Sequence, residues 1–274
     1  MLEEVYKKKK EIFEVIKKAG NEILKVYSGN DFQVETKSDK TPLTIADKKS
    51  NKVIINGLMT LFPELPVLSE ESKKTPYYER KKWKYLWLID PLDGTKEFIK
   101  KNGEFSINLA LIKDSKPIFG ILYLPVLGLF YYAGKRYGAY KIEKNGKTIN
   151  LKPVKYYKNG IDRNIRVIFS KSHYNQETRE YVDRIGKQYY HTEMISVGSA
   201  MKMAYLAEGK ADIYPRLAPT MEWDIAAGQI IVEEAGGKVI DIPGKKPLFY
   251  NKEDLQNPWF VAFGNRSSFS FLNS

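Results

Sequence analysis

The segment 87–98, which reads WLIDPLDGTKEF, places two aspartates three residues apart directly after an apolar strand. Two carboxylates held this close repel each other, and a cation bound between them removes the repulsion. Hard oxygen ligands suit Mg²⁺, which keeps several waters and often meets a phosphate. The Gly94-Thr95 turn that follows offers backbone N–H groups to a phosphate oxygen. The segment predicts a metal-assisted phosphate site, although an Asx-type turn alone also accounts for Asp and Gly at a strand end.

Composition restricts the chemistry that this chain can perform. Its 274 residues are enough for one large domain or two packed halves, and a hydrophobic content of 43% supports a sizeable core. The chain has no cysteine, which excludes disulfides, thiolate metal sites and thiol nucleophiles, and its 2 histidines argue against a histidine-rich zinc site. Catalysis must therefore depend on carboxylates, hydroxyls, lysines or a bound ion.

The distribution of charge bears on location and partners. Lys7 to Lys10 interrupt any signal-like apolar run, and no stretch approaches the roughly 20 apolar residues that span a bilayer, so we expect a cytoplasmic protein without membrane insertion. A net charge of +12 suits either a nucleic-acid surface or the steering of a small anionic substrate. The lysines are spread along the chain without a dense basic run beside stacking aromatics, which favours the small anionic substrate and no nucleic acid.

Hydrophobic periodicity predicts the order of helices and strands. The first half is predicted to contain helices at 3–27 and 45–61, with Thr44 as N-cap and Asp47 in a capping box. Its predicted strands lie at 32–37, 66–69, 83–89, 105–112, 118–124, 129–133 and 139–142. The second half is predicted to alternate strands at 167–170, 212–214 and 238–240 with helices near 177–187, 198–206 and 223–234. This alternation is typical of βα units.

The predicted elements divide into two halves, 1–150 and 151–274. We place the boundary at 145–160, in a charged stretch rich in Asn, Lys and Gly. The first half is expected to be α+β with an antiparallel sheet and most of the acidic ligands, and the second to be α/β.

Three acidic clusters lie at strand ends or helix starts: Glu70, the pair Asp90 and Asp93, and Asp224. Strand ends in α/β architectures converge on one edge of the sheet, where ligands bind. These four carboxylates are therefore predicted to meet and to hold two or more Mg²⁺ ions. Taken alone, Asp224 is also a typical helix N-cap.

Two of these motifs resemble a known superfamily. The segment 90–95, DPLDGT, followed by WDIAAG at 223–228 and the distal Gly236-Gly237, is similar to the lithium-sensitive, Mg²⁺-dependent phosphatases. That superfamily includes inositol monophosphatases, fructose-1,6-bisphosphatases and 3′(2′),5′-bisphosphate nucleotidases. The resemblance covers nearly the whole chain and implies a layered α/β/α/β/α sandwich, with an antiparallel sheet first, a smaller mixed sheet second, and the site between them.

Further segments resemble the nucleotidase branch in particular. Glu97 stands where inositol monophosphatases more usually carry Asn. The other matching segments are KSDKTPLTIAD at 37–47, NGEF at 102–105, GSAMK at 198–202 and YPR at 214–216. The implied reaction is hydrolysis of the 3′-phosphate of adenosine 3′,5′-bisphosphate to give AMP and phosphate. An inositol monophosphatase or a fructose-1,6-bisphosphatase on the same scaffold is the alternative, and a basic nucleic-acid-binding protein is a remote one.

The resemblance also implies roles for the acidic and hydroxyl side chains, in a monomer or homodimer. The implied metal ligands for two or three Mg²⁺ ions are Glu70, Asp90, the carbonyl of Leu92, Asp93, Asp224 and, for a third, more weakly bound ion, Asp47. Thr95 would orient the attacking water together with Glu70 or Asp47. As a residue alone, Thr95 is also typical of a helix cap.

The implied substrate contacts lie on both sides of the chain's midpoint. The amides of Gly94 and Thr95 would hold the scissile phosphate. Ser199, Lys202 and Arg216 would contact the nucleotide, including its second phosphate. Because most lysines and arginines are solvated, ordinary surface charge remains the alternative role for Lys202 and Arg216.

Overall fold

β-Sheets of unequal size organise the structure, a computed structural model that describes residues 1–29, 32–36, 42–152, 164–170 and 174–264. Within these residues there is a seven-stranded sheet in the first half, a five-stranded sheet in the second, and a two-stranded ribbon. The ribbon pairs β1 (Glu35–Thr36) with β2 (Pro42–Leu43). The first five residues of the predicted motif at 37–47, from 37 to 41, lie outside the described residues.

The N-terminal helices confirm the predicted amphipathic pattern, with one interruption. The single helix predicted at 3–27 is divided into α1 (Leu2–Lys7) and α2 (Lys9–Ser28). Lys8 lies at the division, where its backbone has φ −93° and ψ 15°. Its Nζ donates to the carbonyl of Leu61, 2.7 Å away, which joins the division to the end of the next long helix.

The helix α3 (Ile45–Leu61) begins as predicted. Thr44 Oγ1 accepts a hydrogen bond from the amide of Ala46 at 3.2 Å, and Asp47 Oδ2 accepts one from the amide of Thr44 at 2.8 Å. The bond from the Thr44 amide to Asp47 forms the predicted capping box together with one from the Asp47 amide to the Thr44 side chain, and all these bonds use donors that would otherwise lack partners at the helix start. The capping box therefore fixes the side chain of Asp47 at the first turn of α3.

The larger sheet has the strand order β3-β4-β5-β6-β7-β8-β9. Its strands are β3 (Val67–Ser69), β4 (Tyr85–Asp93), β5 (Ser106–Lys113), β6 (Lys116–Leu124), β7 (Leu129–Gly134), β8 (Gly138–Ile142) and β9 (Thr148–Leu151). Only β3 and β4 are parallel, and the other neighbours are antiparallel. The short helices α4 (Tyr77–Arg80) and α5 (Thr95–Ile99) lie in its connections. β9 and α4 were not predicted, because both are short and polar.

The smaller sheet has the order β11-β10-β12-β14-β13. Its strands are β10 (Asn164–Phe169), β11 (His191–Ser196), β12 (Ile213–Arg216), β13 (Lys238–Asp241) and β14 (Phe260–Phe263), and its helices are α6 (Gln176–Gly186), α7 (Met201–Ala207) and α8 (Glu222–Glu234). β10 is parallel to β11 and β12, as βα units require, whereas β13 and β14 are antiparallel neighbours. β11 was missed because it is an exposed edge strand with few apolar residues.

The elements stack in five layers. Helices α2 and α3 cover one face of the larger sheet, α7 and α8 lie between the two sheets, and α6 covers the far face of the smaller sheet. The layered α/β/α/β/α sandwich is thereby confirmed. Both faces of the larger sheet are buried, which explains why β4 is a continuous apolar run and lacks alternation.

The middle layer matters most for the site, because α8 packs very closely on β6. A Cβ atom at Gly120 of β6 would lie 2.8 Å from the carbonyl oxygen of Ala227, so only glycine permits this approach. Helix α8 belongs to the second half of the chain and packs against strands of the first. The two halves share a core, and their division into domains near residue 150 stays a prediction.

Among the described residues, no helix combines the length and the apolar character that a membrane crossing requires.

Candidate active site

The acidic turn at the end of β4 is part of the strand and carries a bulge. The predicted strand ended at Ile89, whereas the observed one continues to Asp93. Its pairing with β5 shifts between Asp90, opposite Asn108, and Asp93, opposite Ser106, so that three steps on β4 face two on β5. Such a bulge re-aims side chains that regular pleating would send to opposite faces. Asp90 and Asp93 consequently line the same cavity.

Short hydrogen bonds hold this bulge in place. Ser50 Oγ on α3 donates to the carbonyl of Pro91 at 2.7 Å, and the amide of Leu92 donates to Asp90 Oδ1 at 3.0 Å. Pro91 itself has no N–H and cannot continue the strand ladder. The orientation of the bulge is therefore set by a helix on one side and by its own carboxylate on the other.

Three carboxylates from different elements meet at the cavity. One oxygen each of Glu70, Asp90 and Asp224 lies within 4.8 Å of the others. Glu70 follows β3, where its amide donates to the carbonyl of Ile89 at 3.1 Å. Asp224 lies at the third position of α8 and accepts from the amide of Met221 at 2.9 Å. The structure brings together three of the four carboxylates that were predicted to meet, and the fourth, Asp93, lines the same cavity.

The electrostatics of this cluster favour a cation. Burial, reinforced by the charges of Glu70, Asp93 and Asp224, raises the pKa of Asp90 well above its usual range. Burial, followed by the charges of Asp93 and Glu70, raises the pKa of Asp224 in the same way. The protein alone therefore stabilises these groups poorly as carboxylates. A donor set made only of oxygens and carrying excess negative charge fits a hard divalent cation.

Thr95 connects the cavity to Asp47. Asp47 is 1% exposed and is not among the described residues that line the cavity, whereas Thr95 lines it. Thr95 Oγ1 donates to Asp47 Oδ1 at 3.2 Å and lies 3.3 Å from the carbonyl oxygen of Leu92. The capping box already holds the other carboxylate oxygen of Asp47. Asp47 therefore contacts the cavity through the hydroxyl of Thr95.

Gly94 lets the chain turn between the acidic bulge and Thr95. It is the N-cap residue of α5 and has φ +89°, in the left-handed region. A Cβ atom here would lie 3.0 Å from the carbonyl oxygen of Glu104 and 3.2 Å from the Cβ of Ser199. Both the conformation and the lack of space require glycine. This turn brings the first-half acidic segment into contact with the second-half segment that carries Ser199.

The predicted cationic residues lie on the second-half side of the cavity. Lys202 is 6% exposed and donates to the carbonyl of Ser199 at 2.5 Å, and Arg216 is 7% exposed and donates through Nη2 to the carbonyl of Pro219 at 2.6 Å. Burial, assisted by the charge of Arg216, lowers the pKa of Lys202 to about 8, although Asp93 opposes the shift. These two cations are not solvated surface charges, and they face the cavity that the carboxylates also line.

The cavity has a volume of about 580 Å³, a size typical of sites for small molecules. Its remaining lining includes the apolar side chains of Tyr214, Trp223 and Ile225, which belong to the motifs named above, and those of Met203 and Pro219, which the sequence analysis did not select. Nothing in the sequence distinguishes Met203 and Pro219 from ordinary residues of a buried helix or a loop.

Two polar residues beneath the cavity were also missed. Ser106 and Asn108 on β5 are completely buried. Their signal was visible as two polar residues, two positions apart, at the start of an otherwise apolar strand. A buried polar side chain needs a hydrogen-bond partner, so this pattern predicts a polar network on one face of the strand.

Comparison with known proteins gives close relatives over almost the full length. A 3′(2′),5′-bisphosphate nucleotidase named CysQ from Salmonella typhimurium is 41% identical over 254 residues, which cover 91% of this chain and 97% of the relative. The CysQ nucleotidase of Escherichia coli strain K12 is also 41% identical, over 255 residues, with the same coverage.

Solved structures give the same result. The crystal structure of CysQ from Bacteroides thetaiotaomicron, described as a bacterial member of the inositol monophosphatase family, is 40% identical and superposes with a TM-score of 0.80. The match covers 94% of this chain and 97% of that one. The sequence profile of the inositol monophosphatase family matches residues 2–261, a range that includes every element lining the cavity. This chain therefore belongs to the inositol monophosphatase family.

Proposed function

We propose that this protein is a 3′(2′),5′-bisphosphate nucleotidase, which hydrolyses the 3′-phosphate of adenosine 3′,5′-bisphosphate to give AMP and phosphate. The observation that carries the proposal is a single cavity lined by a carboxylate cluster and by two buried cations. A substrate with two phosphates can use both groups at once. The identity of 41% to CysQ nucleotidases supports the same substrate class.

The metal part of the proposal assigns two or three Mg²⁺ ions to the acidic residues. The proposed ligands are Glu70, Asp90, the carbonyl of Leu92, Asp93 and Asp224, with Asp47 beside a third, weaker position. When bound, Mg²⁺ supplies a lowered pKa for a coordinated water and neutralises charge on the leaving oxygen. The fit rests on the oxygen-only donor set and on the raised pKa of Asp90 and Asp224, which a cation would reverse.

The catalytic roles follow from hydrogen bonds of the chain itself. Thr95 donates its proton to Asp47, so its oxygen is left to accept a hydrogen bond from an attacking water. Asp47 fixes the direction of that hydroxyl, and the capping box fixes Asp47 in turn. We assign Thr95 and Asp47, with Glu70, which also lines the cavity, to orientation of the water and removal of its proton.

The substrate contacts extend from the bulge to the second half of the chain. The amides of Gly94 and Thr95 are proposed to hold the scissile phosphate. Lys202 and Arg216 are proposed to bind the phosphate that is not cleaved, and arginine suits it through its planar fork. Ser199 lies between these two regions, next to Asp93.

The alternatives predict different substrates. The relatives do not favour inositol monophosphatase or fructose-1,6-bisphosphatase activity, because the curated relatives at 41% identity are named as nucleotidases. A nucleic-acid partner is disfavoured because the lysines form no dense basic run, and because carboxylates repel a phosphate backbone unless metal covers them. A cytoplasmic location and a monomeric or homodimeric state stay predictions of the sequence.

A phosphate-release assay tests the proposal. Substrates are adenosine 3′,5′-bisphosphate, its sulfated analogue, inositol 1-phosphate and fructose 1,6-bisphosphate, each with Mg²⁺ and with excess EDTA. We expect the highest kcat/KM for an adenosine bisphosphate and no activity in EDTA. Faster hydrolysis of inositol 1-phosphate would replace the nucleotidase assignment, and full activity in EDTA would remove the metal requirement.

Replacement of Arg216 tests the site for the second phosphate. Arg216 lines the cavity, so an anion bound there can contact its guanidinium. We expect Arg216→Ala to lower kcat/KM for the bisphosphate by roughly 10- to 150-fold, the scale of 1.5–3 kcal/mol for a charge-assisted hydrogen bond. A substrate with a single phosphate should lose much less. Exposed Arg184 on α6 offers the control variant Arg184→Ala. Equal losses on both substrates would remove Arg216 from this role.

The pKa of Lys202 leads to a pH-dependent result. Burial lowers this pKa from 10.5 to about 8, so the folded protein loses the Lys202 charge as pH rises through 8. The advantage of wild type over Lys202→Met in KM for the bisphosphate should therefore shrink between pH 7 and pH 10. The lowered pKa also means that the folded protein disfavours the charged form of Lys202, so this residue contributes least to stability below pH 8, where it is charged. Lys202→Met should therefore be stabilised relative to wild type mainly at neutral pH.

Steady-state KM values and urea unfolding at pH 7 and pH 10 check both consequences. Lys210→Met is the matched control, since Lys210 is half-exposed and lies just beyond α7. A KM ratio that does not change with pH would show that the charge of Lys202 does not take part in binding.

A further inference from the structure

Ser106 and Asn108 form a polar pair inside the apolar strand β5. Both are 0% exposed, and a spacing of two places them on the same face of the strand. They lie opposite Asp93 and Asp90 in the register of β4 and β5. Burying two uncharged polar groups has a free-energy penalty unless they are hydrogen-bonded, so the network that they form is informative.

That network reaches Asp93 through a residue of the second half. Ser106 Oγ lies 2.7 Å from Asn108 Oδ1 and 2.6 Å from Ser199 Oγ, and Ser199 Oγ donates to Asp93 Oδ2 at 2.7 Å. Asn108 Nδ2 lies 3.5 Å from Asp93 Oδ2 and 3.5 Å from the carbonyl oxygen of Asp224. The contacts therefore run from β5 to the proposed metal ligands on two other elements.

Counting hydrogens gives this network a direction. Three short contacts join four heavy atoms, and the hydroxyls of Ser106 and Ser199 supply two hydrogens. With Oδ1 of Asn108 beside Ser106, Ser106 donates to Asn108 and its contact with Ser199 has no hydrogen. Because a carboxylate only accepts, the third hydrogen is supplied when the amide of Asn108 is turned end for end, which keeps its shape and brings Nδ2 to Ser106. The exchange also places Oδ1 3.5 Å from Asp93 Oδ2 and from the carbonyl oxygen of Asp224, in place of two Nδ2 contacts that were longer than ordinary hydrogen bonds. Each group then donates to the next, from Asn108 to the carboxylate of Asp93.

We propose that Ser106 and Asn108 are positioning residues, which through Ser199 hold the carboxylate of Asp93 in the orientation that binds the divalent cation. The metal requirement belongs to the proposed function, so this role rests on that function. A relay of aligned donors stabilises an ionised acceptor more than an isolated hydroxyl does, because each bond polarises the next. Partners of this kind around a metal ligand commonly control metal affinity.

The relay also explains the strained backbone of Ser199. Its φ is +52°, a value that a residue other than glycine adopts infrequently. The conformation places Ser199 Oγ between Ser106 and Asp93, across the contact between the two halves. The hydroxyl of Ser199 therefore takes part in the relay, and Ser199 also keeps its proposed contact with the nucleotide.

A double-mutant cycle with direct metal binding tests this role. Ser106→Ala, Ser199→Gly and the double variant are prepared without metal, and Mg²⁺ is titrated into each by calorimetry. We expect each single variant to bind Mg²⁺ roughly fivefold more weakly, the scale of one net hydrogen bond. Because both residues act on Asp93 in series, the double variant should bind no more weakly than Ser199→Gly alone. Unchanged affinity in Ser106→Ala, or losses that multiply in the double variant, would overturn the relay.

The control removes a buried hydroxyl with the same kind of partner elsewhere. Thr178 Oγ1 on α6 donates to Asn175 Oδ1 at 2.6 Å, far from the carboxylate cluster in the layered fold. Thr178→Val should lower the unfolding temperature without changing Mg²⁺ affinity. If Ser106→Ala does not fold, Asn108→Ala takes its place in the cycle with the same expected and contrary results.

The calorimetric test of the relay and the substrate test of the proposed function can give opposite results. Weakened Mg²⁺ binding in the variants supports the relay even if the substrate panel shows no nucleotidase activity. Conversely, a protein that hydrolyses adenosine 3′,5′-bisphosphate but whose Mg²⁺ affinity does not respond to Ser106→Ala retains the function and loses the relay. Wild-type protein that binds no Mg²⁺ in the calorimeter would contradict both.

Discussion

Asp90→Asn is expected to abolish turnover and, at the same time, to stabilise the protein in the absence of metal. Asp90 is 2% exposed, and burial with the neighbouring charges raises its pKa well above the usual range. An uncharged amide of the same size removes that repulsion and keeps the bond from the amide of Leu92. Metal-free stability should rise by on the order of 1–3 kcal/mol, as when buried charges are replaced by neutral groups. Turnover should fall on the order of 10³-fold or more, because a ligand is lost.

Urea unfolding with and without Mg²⁺, together with turnover at saturating substrate, separates these effects. Mg²⁺ should stabilise wild type by preferential binding to the folded state and should stabilise Asp90→Asn much less. The control is Asp183→Asn, since Asp183 is exposed on α6. Near-normal turnover in Asp90→Asn at limiting Mg²⁺ would show that Asp90 is a structural turn residue. A loss of metal-free stability would show that its charge is compensated within the protein.

Thr95→Val should have the second largest effect and should change turnover alone. The substitution keeps the size and branching of the side chain and removes the hydroxyl that donates to Asp47. If Thr95 orients the attacking water, kcat should fall by about 10²- to 10⁴-fold, the usual range for a positioned acid–base group. Mg²⁺ affinity measured by calorimetry should stay within about twofold of wild type, because Thr95 is not among the proposed metal ligands.

Thr95→Ser is the matched variant, because it restores the hydroxyl with less bulk. Recovery of most of the turnover in Thr95→Ser would assign the effect to the hydroxyl. If Thr95→Val and Thr95→Ser lose turnover equally, packing at the start of α5 explains the result. A large loss of Mg²⁺ affinity in Thr95→Val would place Thr95 in the metal site.

Local features of the fold could be predicted because they depend on residues close in the chain. The capping box of Thr44 and Asp47 spans three positions, and the structure confirms it. The central strands of the larger sheet were predicted because both of their faces are apolar. The edge strand β11 was not predicted, because a strand that is largely exposed carries no continuous apolar pattern.

The end of β4 marks the limit of such local reasoning. The sequence indicates a turn at Asp90, whereas the strand continues through a bulge to Asp93. The bulge exists because β5 pairs on both sides of it and Ser50 on α3 holds the carbonyl of Pro91. These partners are distant in the chain, and no local pattern reports them.

The sequence by itself determined the chemistry that is available, and the tertiary structure decided which groups act together. The lack of cysteine, the acidic motifs and the family resemblance restricted the site to carboxylates, hydroxyls and cations. Only the fold places Glu70 and Asp224, from opposite halves, within 4.8 Å of one atom of Asp90, and links Ser106 to Ser199. The physical reason is that residue type is a local property, whereas distance, burial and pKa depend on how α8 and the two sheets pack.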